Sequence, residues 1–434
     1  MLCLRTVLLA GVLAFGATGQ ALAVEGALEV GPVAMTVPAD AHVLRNAREL
    51  QEALAADSGP AVLWLAAGVY RGNFVVRRSL TLRGERGAVL DGEGRGTVLT
   101  IEADDAEIDN LTLRNSGRRN TAEDAGVRAK GLRIQLRHLR VEESLFGITL
   151  GPCRGCGVDY AHVRGAGANT ELQGDGIKLW ESDHARVRDC LVENMRDVVV
   201  WYSRHVLLER NVVRNSRYGT HFMYAHDSVV RDSRITNNVV GVFVMYSRRL
   251  HVIGNVLAGA KGAAGIGIGF KDSDGIDVKD NWFIANTTGT YLDVTPRGGS
   301  PLARFEDNVF AINQVALRLH ARASDIAFTR NQFQNNGSLI DVEGGGDALA
   351  VDFEHNYYSD YAGYDLDHDG FGDVAHQVKR LSAAWIDSHP VLALFEGSAA
   401  LGLLDVIAAA APVFANKLML VDSAPLFERP WRHP

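Results

Sequence analysis

The sequence predicts an all-β chain wound as a parallel β-helix, with a capping helix at its N-terminal end and an irregular, partly helical extension at the other. Aligned residues recur about every 22 positions: Trp180, Trp201, Met223 and Met245 are spaced by 21, 22 and 22 residues. A second ladder runs through Asn211, Ser233, Asn255, Asn281, Asn308, Asn331 and Asn356. Each unit, such as DVVVWYSRHVLLERN from Asp197 or GTHFMYAHDSVVRDS from Gly219, reads as a short alternating strand, a polar turn, a Val/Leu-rich strand and a closing turn. Strands this short cannot bury an apolar face alone, but they can by stacking on the next coil of a solenoid. Asn at the same place in each coil fits, since identical amides about 4.8 Å apart hydrogen-bond along the stack.

Residues 1–23 (MLCLRTVLLAGVLAFGATGQALA) carry one Arg, an apolar run from Val7 to Phe15 and Ala21-Leu22-Ala23 as a small-residue cleavage site, the pattern of a secretory signal peptide. The apolar run is short for a bilayer span, which disfavours an uncleaved anchor. Residues 24–97 hold a polar lead-in, a helix from about Asn46 to Asp57 with Asn46 as cap and Glu49 three positions on, and the first coils. Such a helix would cover the open end of the stack, where bare strand edges invite aggregation. Residues 98–358 carry the repeat, interrupted by two polar stretches, Asn115–Gly126 and Gly165–Gly174, that read as loops leaving the coils. In an exported chain Cys153-Arg-Gly-Cys156 reads as a small disulfide or two quiet thiols in preference to a metal site, because no second CxxC completes four ligands.

Residues 359–434 depart from the repeat. Asp365, Asp367, Asp369 and Asp373 alternate around Gly370, as in a calcium loop, although His376 stands where such a loop usually has a bidentate Glu; an acidic surface turn is the alternative. Ser398–Phe414 has one charge, Asp405, and is too short to span a bilayer, so it reads as a buried helix or one that docks on a membrane or partner. The formal net charge is −8, or about −9 once Arg5 leaves with the signal, which favours neither nucleic acid nor an anionic membrane as partner.

With Ile177, Leu179, Val198, Val200, Phe222, Val242 and Val244 turned into the core, strand alternation puts two rows on the outside. One is Lys178, Val199, His221, Phe243, Gly269, Tyr291 and Arg318; the other is Trp180, Trp201, Met223, Met245, Lys271, Asp293 and His320. A solvent-facing row should be polar, so the Trp/Met strip is either a binding surface, with Trp180, Trp201 and Phe243 meeting a partner, or secondary core beneath a loop. His221, Met223 and Met245 combine imidazole with thioethers, a soft ligand set suited to transient Cu(I).

Several segments resemble a known family, the periplasmic β-helix protein of nitrous oxide reductase maturation: GDGIKLWESD at Gly174, DVVVWYS at Asp197, RYGTHFMYAHDS at Arg217, VGVFVMYSRRL at Val240, GFKDSD at Gly269, NYYSDYAGYDLDHDGFGD at Asn356 and LMLVDSAP at Leu418. The resemblance spans most of the chain after residue 23. It implies a right-handed parallel β-helix and a non-enzymatic role in supplying copper, and conceivably sulfide, to the reductase copper centres. It further implies docking on an ABC-type ATPase and membrane permease, and contact with a copper-chaperone lipoprotein and the apo-reductase. The CxxC at Cys153 is not part of the pattern. The competing reading is a polysaccharide lyase or uronate epimerase, whose charged groups would be drawn from Lys178, Lys271, Asp293, Arg318 and His320.

Overall fold

The computed structural model describes residues 29–167, 169–297, 302–320, 323–395, 398–410 and 416–430; the expected signal peptide lies outside them. Three parallel sheets of 14, 12 and 13 strands run along the molecule, and from Val62 to Glu343 each coil gives one strand to each sheet. The pairing follows the repeat, with Trp180 opposite Trp201 and Met223 opposite Met245. The inward rows, including Ile177, Leu179, Val200, Phe222 and Val244, are buried. Towards the C-terminal end aromatic rings take over the core: Phe283, Phe310, Phe333 and Tyr358 stack at 4.7, 5.1 and 5.4 Å between centroids.

The corner that carries the Asn ladder has one backbone solution. The residue before each ladder position lies in the left-handed region: Arg210, Asp232, Gly254, Asp280, Asp307, Arg330 and His355 have φ between 51° and 66°. This sharp turn strands backbone groups, and the following side chain satisfies them. Asn308 donates through Nδ2 to the Val278 carbonyl and to Asn331 Oδ1, both at 2.9 Å. Its own Oδ1 accepts from the backbone and side-chain nitrogens of Asn281 at 2.9 and 3.0 Å. A parallel amide ladder, five residues on, runs through Asn286, Asn313 and Asn336.

Both ends are closed. Helix α1 (Ala47–Ala55) is capped by Asn46, whose Oδ1 accepts the Glu49 amide at 3.0 Å, and it buries Leu50 and Leu54. At the other end an antiparallel pair, His376–Arg380 with Lys417–Asp422, crosses the last coils. Asp422, fully buried, ends the amide ladder: its Oδ2 accepts from Asn356 N and Nδ2 at 3.0 Å and from Tyr358 Oη at 3.1 Å. Between the two strands sit α2 (Leu381–Ser388) and α3 (Ala399–Ala410). Asp405, the one charge in that segment, is the latch that seats α3, accepting from Arg380 Nε at 3.1 Å, Ser382 N at 2.7 Å and Ser382 Oγ at 2.6 Å. Cys153 and Cys156 form a disulfide, and Cys190 is a buried thiol pushed up to about 12 by burial.

Replacing Asn308 by Ala leaves buried amide and carbonyl groups without partners, each costing about 1–3 kcal/mol. The expected outcome is a markedly lower thermal unfolding midpoint by circular dichroism; a midpoint within a degree or so of the parent would mean the ladder is not a stability element.

Candidate functional site

The outer face of the 12-stranded sheet holds both rows in the predicted register, from Lys178 through Val199, His221, Phe243, Gly269 and Tyr291 to Arg318, and from Trp180 through Trp201, Met223, Met245 and Lys271 to Asp293. The first row departs from the solvent-facing expectation. Lys178, Val199 and His221 are buried, and Trp180, Trp201, Met223, Met245 and Phe243 are half-buried. Part of the cover is the polar excursion Asn115–Gly126, whose Glu123 accepts from Lys178 Nζ at 2.7 Å. Arg128 pins that loop by donating to the Glu123 carbonyl at 2.6 Å. Without a carboxylate partner an ammonium could not be buried there. The Lys178 cation also lies 5.5 and 5.7 Å from the ring centroids of Trp180 and Trp201.

His221 occupies an aromatic chamber. Trp201 meets it edge-on at 5.6 Å, Tyr218 lies at 5.0 Å and Phe243 at 6.4 Å. Among the described residues neither imidazole nitrogen has a hydrogen-bond partner, and neither does Trp201 Nε1, although all three atoms are buried. Burial pushes the imidazole down to about 4; Asp197 pulls it up, and Arg217 opposes that. At neutral pH His221 therefore presents a bare nitrogen lone pair. Met223 follows two positions along the same strand, and Met245 is its register partner one coil away, about 5 Å at the backbone. The chamber is held from behind by Arg217, which donates to Asp197 Oδ1 at 3.0 Å and packs its guanidinium 4.8 Å from the Tyr218 ring.

Beside the strip runs an aromatic ladder that the sequence reading did not single out. Tyr202, Tyr224 and Tyr246 stack at 5.2 and 5.0 Å, and Trp180 leans on Tyr202 at 5.0 Å. All three tyrosines have φ near 50°. The recurrent WYS, MYA and MYS triplets were the available signal. The charged residues weighed for an enzyme are spread over several coils and are paired: Lys178 with Glu123, Lys271 with Asp293, and Arg318 with Asp341.

In the extension, carboxylate oxygens of Asp365, Asp367 and Asp369 lie within 4.8 Å of one another. Asp373, expected to complete the set, is not in that group; its Oδ2 accepts the Leu366 amide at 2.7 Å. His376 is buried against Tyr358, ring centroids 4.0 Å apart. Beyond it Trp385, Val391, Leu394, Phe395, Leu403 and Ile407 are all exposed, Leu394 to 83%. No helix among the described residues is long and apolar enough to cross a membrane.

A family model described as periplasmic copper-binding protein (NosD) matches residues 158–363, the coils that carry the strip. A probable ABC transporter binding protein NosD from Pseudomonas aeruginosa is 32% identical over 401 residues, covering 85% of this chain and 89% of that protein. The chain belongs to the NosD family. A second NosD, from Stutzerimonas stutzeri, is 29% identical over 395 residues, covering 84% and 86%. Among solved structures, the A-module of the mannuronan C-5 epimerase AlgE6 from Azotobacter vinelandii superposes with a TM-score of 0.58 at 13% identity, over 73% of this chain and 94% of that one. The catalytic unit of a GH87 α-1,3-glucanase from Streptomyces thermodiastaticus gives 0.57 at 15%, over 76% and 71%. At such identities these two establish the β-helix alone.

The chamber generates a pH prediction. Since the folded value of His221 lies below its unfolded 6.5, the unfolded state binds more protons in between, and the stability contributed by neutral His221 is lost as pH falls from 6.5 towards about 4. NMR of the ring is expected to give a midpoint near about 4; a midpoint near the ordinary histidine value would show that water reaches the imidazole.

Proposed function

We propose that this chain is a periplasmic, non-enzymatic maturation factor for nitrous oxide reductase that docks on an ABC-type transporter and helps deliver copper to the reductase. The observation that carries the reading is the buried imidazole of His221 with no hydrogen-bond partner on either nitrogen among the described residues, on the same strand face as Met223 and its register partner Met245. A neutral set of one imidazole and two thioethers favours Cu(I) over harder ions. Trp180, Trp201 and Phe243, half-buried around it, offer an apolar surface to the protein that gives or takes the metal. In this reading those proteins are a copper-chaperone lipoprotein and the apo-reductase, with sulfide as a second candidate cargo. The exposed apolar side chains on and around α3 are the surface for the permease and its ATPase, which supplies the hydrolysis this chain lacks. The Asp365, Asp367 and Asp369 loop would take calcium as a structural ion.

Anaerobic Cu(I) titration against a chromophoric chelator tests the site. His221→Ala and the double variant Met223→Leu/Met245→Leu are each expected to weaken binding by roughly tenfold or more, the scale of losing one soft ligand interaction. Unchanged affinity in both would remove these residues as ligands. Docking is tested by co-purification from membranes with the ATPase and permease. Leu394→Asp with Phe395→Asp should abolish recovery of the transporter while leaving Cu(I) affinity unaltered, whereas full recovery would place the docking surface elsewhere.

A further inference from the structure

The His221 chamber has three ring walls, and they are not equally held. Trp201 is fixed by the edge contact of Trp180 at 6.0 Å and by the Lys178 ammonium over its face. Tyr218 is fixed by the Arg217 guanidinium and by its backbone amide, which donates to Asp197 Oδ1 at 3.1 Å. Among the described residues the Phe243 ring has no cation over its face; its ring contacts are with Tyr218 at 5.8 Å and His221 at 6.4 Å. On its far side it lies over Gly269, its register partner in the next coil.

Gly269 needs explaining, because glycine weakens a strand interior and every neighbouring position in the outward row carries a side chain. Its backbone is ordinary for a strand, since Gly269 is absent from the positive-φ positions among the described residues. What requires glycine is the ring: a Cβ at 269 would stand 2.5 Å from Phe243 Cε2 and 2.6 Å from Cδ2. Any side chain there would drive Phe243 back onto His221. The coil that would otherwise fill the chamber instead supplies a recess for its loosest wall.

We propose that Phe243 is the movable wall through which a soft monovalent ion reaches the buried nitrogens of His221, and that Gly269 is the positioning residue that seats the ring clear of the imidazole. The proposal rests on the copper reading above. The His221 nitrogens are closed from solvent, so a wall must move before they can bind. Among the three rings, Phe243 can turn without breaking a charge-assisted contact. Gly269 acts through Phe243 and touches no metal.

The test is stopped-flow mixing of the whole mature protein with Cu(I) supplied as its acetonitrile complex under argon, followed by tryptophan fluorescence, since Trp201 borders the chamber. Gly269→Ala is expected to slow uptake about tenfold, the effect of one side chain forced off its rotamer during entry. Phe243→Ala should speed uptake several-fold, and Gly269→Ala combined with Phe243→Leu should return the rate to the parent's, which a general loss of folding could not do. Cu(I) binding with rates unmoved in Gly269→Ala and Phe243→Ala overturns the gate and leaves the copper reading standing, and so does slowing in Gly269→Ala that Phe243→Leu fails to rescue. Absence of any Cu(I)-dependent response in the parent and at equilibrium overturns the copper reading, and the gate with it.

Discussion

Hydrogen bonding from each coil to the next, in strict register at about 4.8 Å, is the constraint on which the rest of the molecule depends. It forces every side chain to face its counterpart one coil away, so only residues that tolerate their own likeness can recur. Asn does so because its amide both donates and accepts: Asn255, Asn281, Asn308, Asn331 and Asn356 form a charge-neutral chain. A file of carboxylates would repel itself. The chain therefore ends with a single Asp, Asp422, where no further amide follows. The outer face obeys the same rule: its charged coils alternate in sign, as in Lys271 with Asp293 and Arg318 with Asp341.

The strip is apolar only where no such alternation is used, and burying it created a second demand. Lys178 lies among the tryptophans at 10% side-chain exposure and is tolerated because Glu123 reaches it from an excursion 55 residues earlier. That tether covers Lys178, while Trp180 and Trp201 beside it stay half-buried. His221 has no comparable partner. The covered coils thus grade into half-buried Met and Phe positions and then into paired charges, and the unpartnered imidazole lies where cover gives way to access.

The coil period, the inward rows, the Asn46 cap and the strand register of Trp180 to Met245 were all legible in the sequence, because each depends on near neighbours in a repeating pattern. The second amide ladder was legible too, as Asn recurring five residues after Asn281, Asn308 and Asn331, but one ladder had already accounted for the turns. The burial of Lys178 was legible only as the alternative of secondary core beneath a loop, because it depends on where the Asn115–Gly126 excursion folds back and loops outside the repeat carry no period. Likewise nothing local to Asp405 indicates that its partners are Arg380 and Ser382. Nor does alternation separate Asp373 from the three carboxylates that converge.

The chamber and the anchor point of α2 and α3 lie on one sheet. From His221 the outward row passes through Phe243, Gly269, Tyr291 and Arg318 to Asp341, five coil steps or about 24 Å. There Arg380 bonds Asp341 at 3.1 Å and, through Asp405, anchors α2 and α3. A solenoid transmits contacts only from one coil to the next, and these coils are locked by amide ladders, so the span acts as a rigid spacer. With α2 and α3 set on a transporter as proposed, the strip stands a fixed distance from the membrane surface. On that proposal a metal ion held there would not pass down the outer face, where Lys271 pairs with Asp293 and Arg318 with Asp341. It would leave sideways, to a protein that meets the Trp and Met rows directly, so that the handover lies on the flank of the β-helix and the transporter end has the separate task of presenting it.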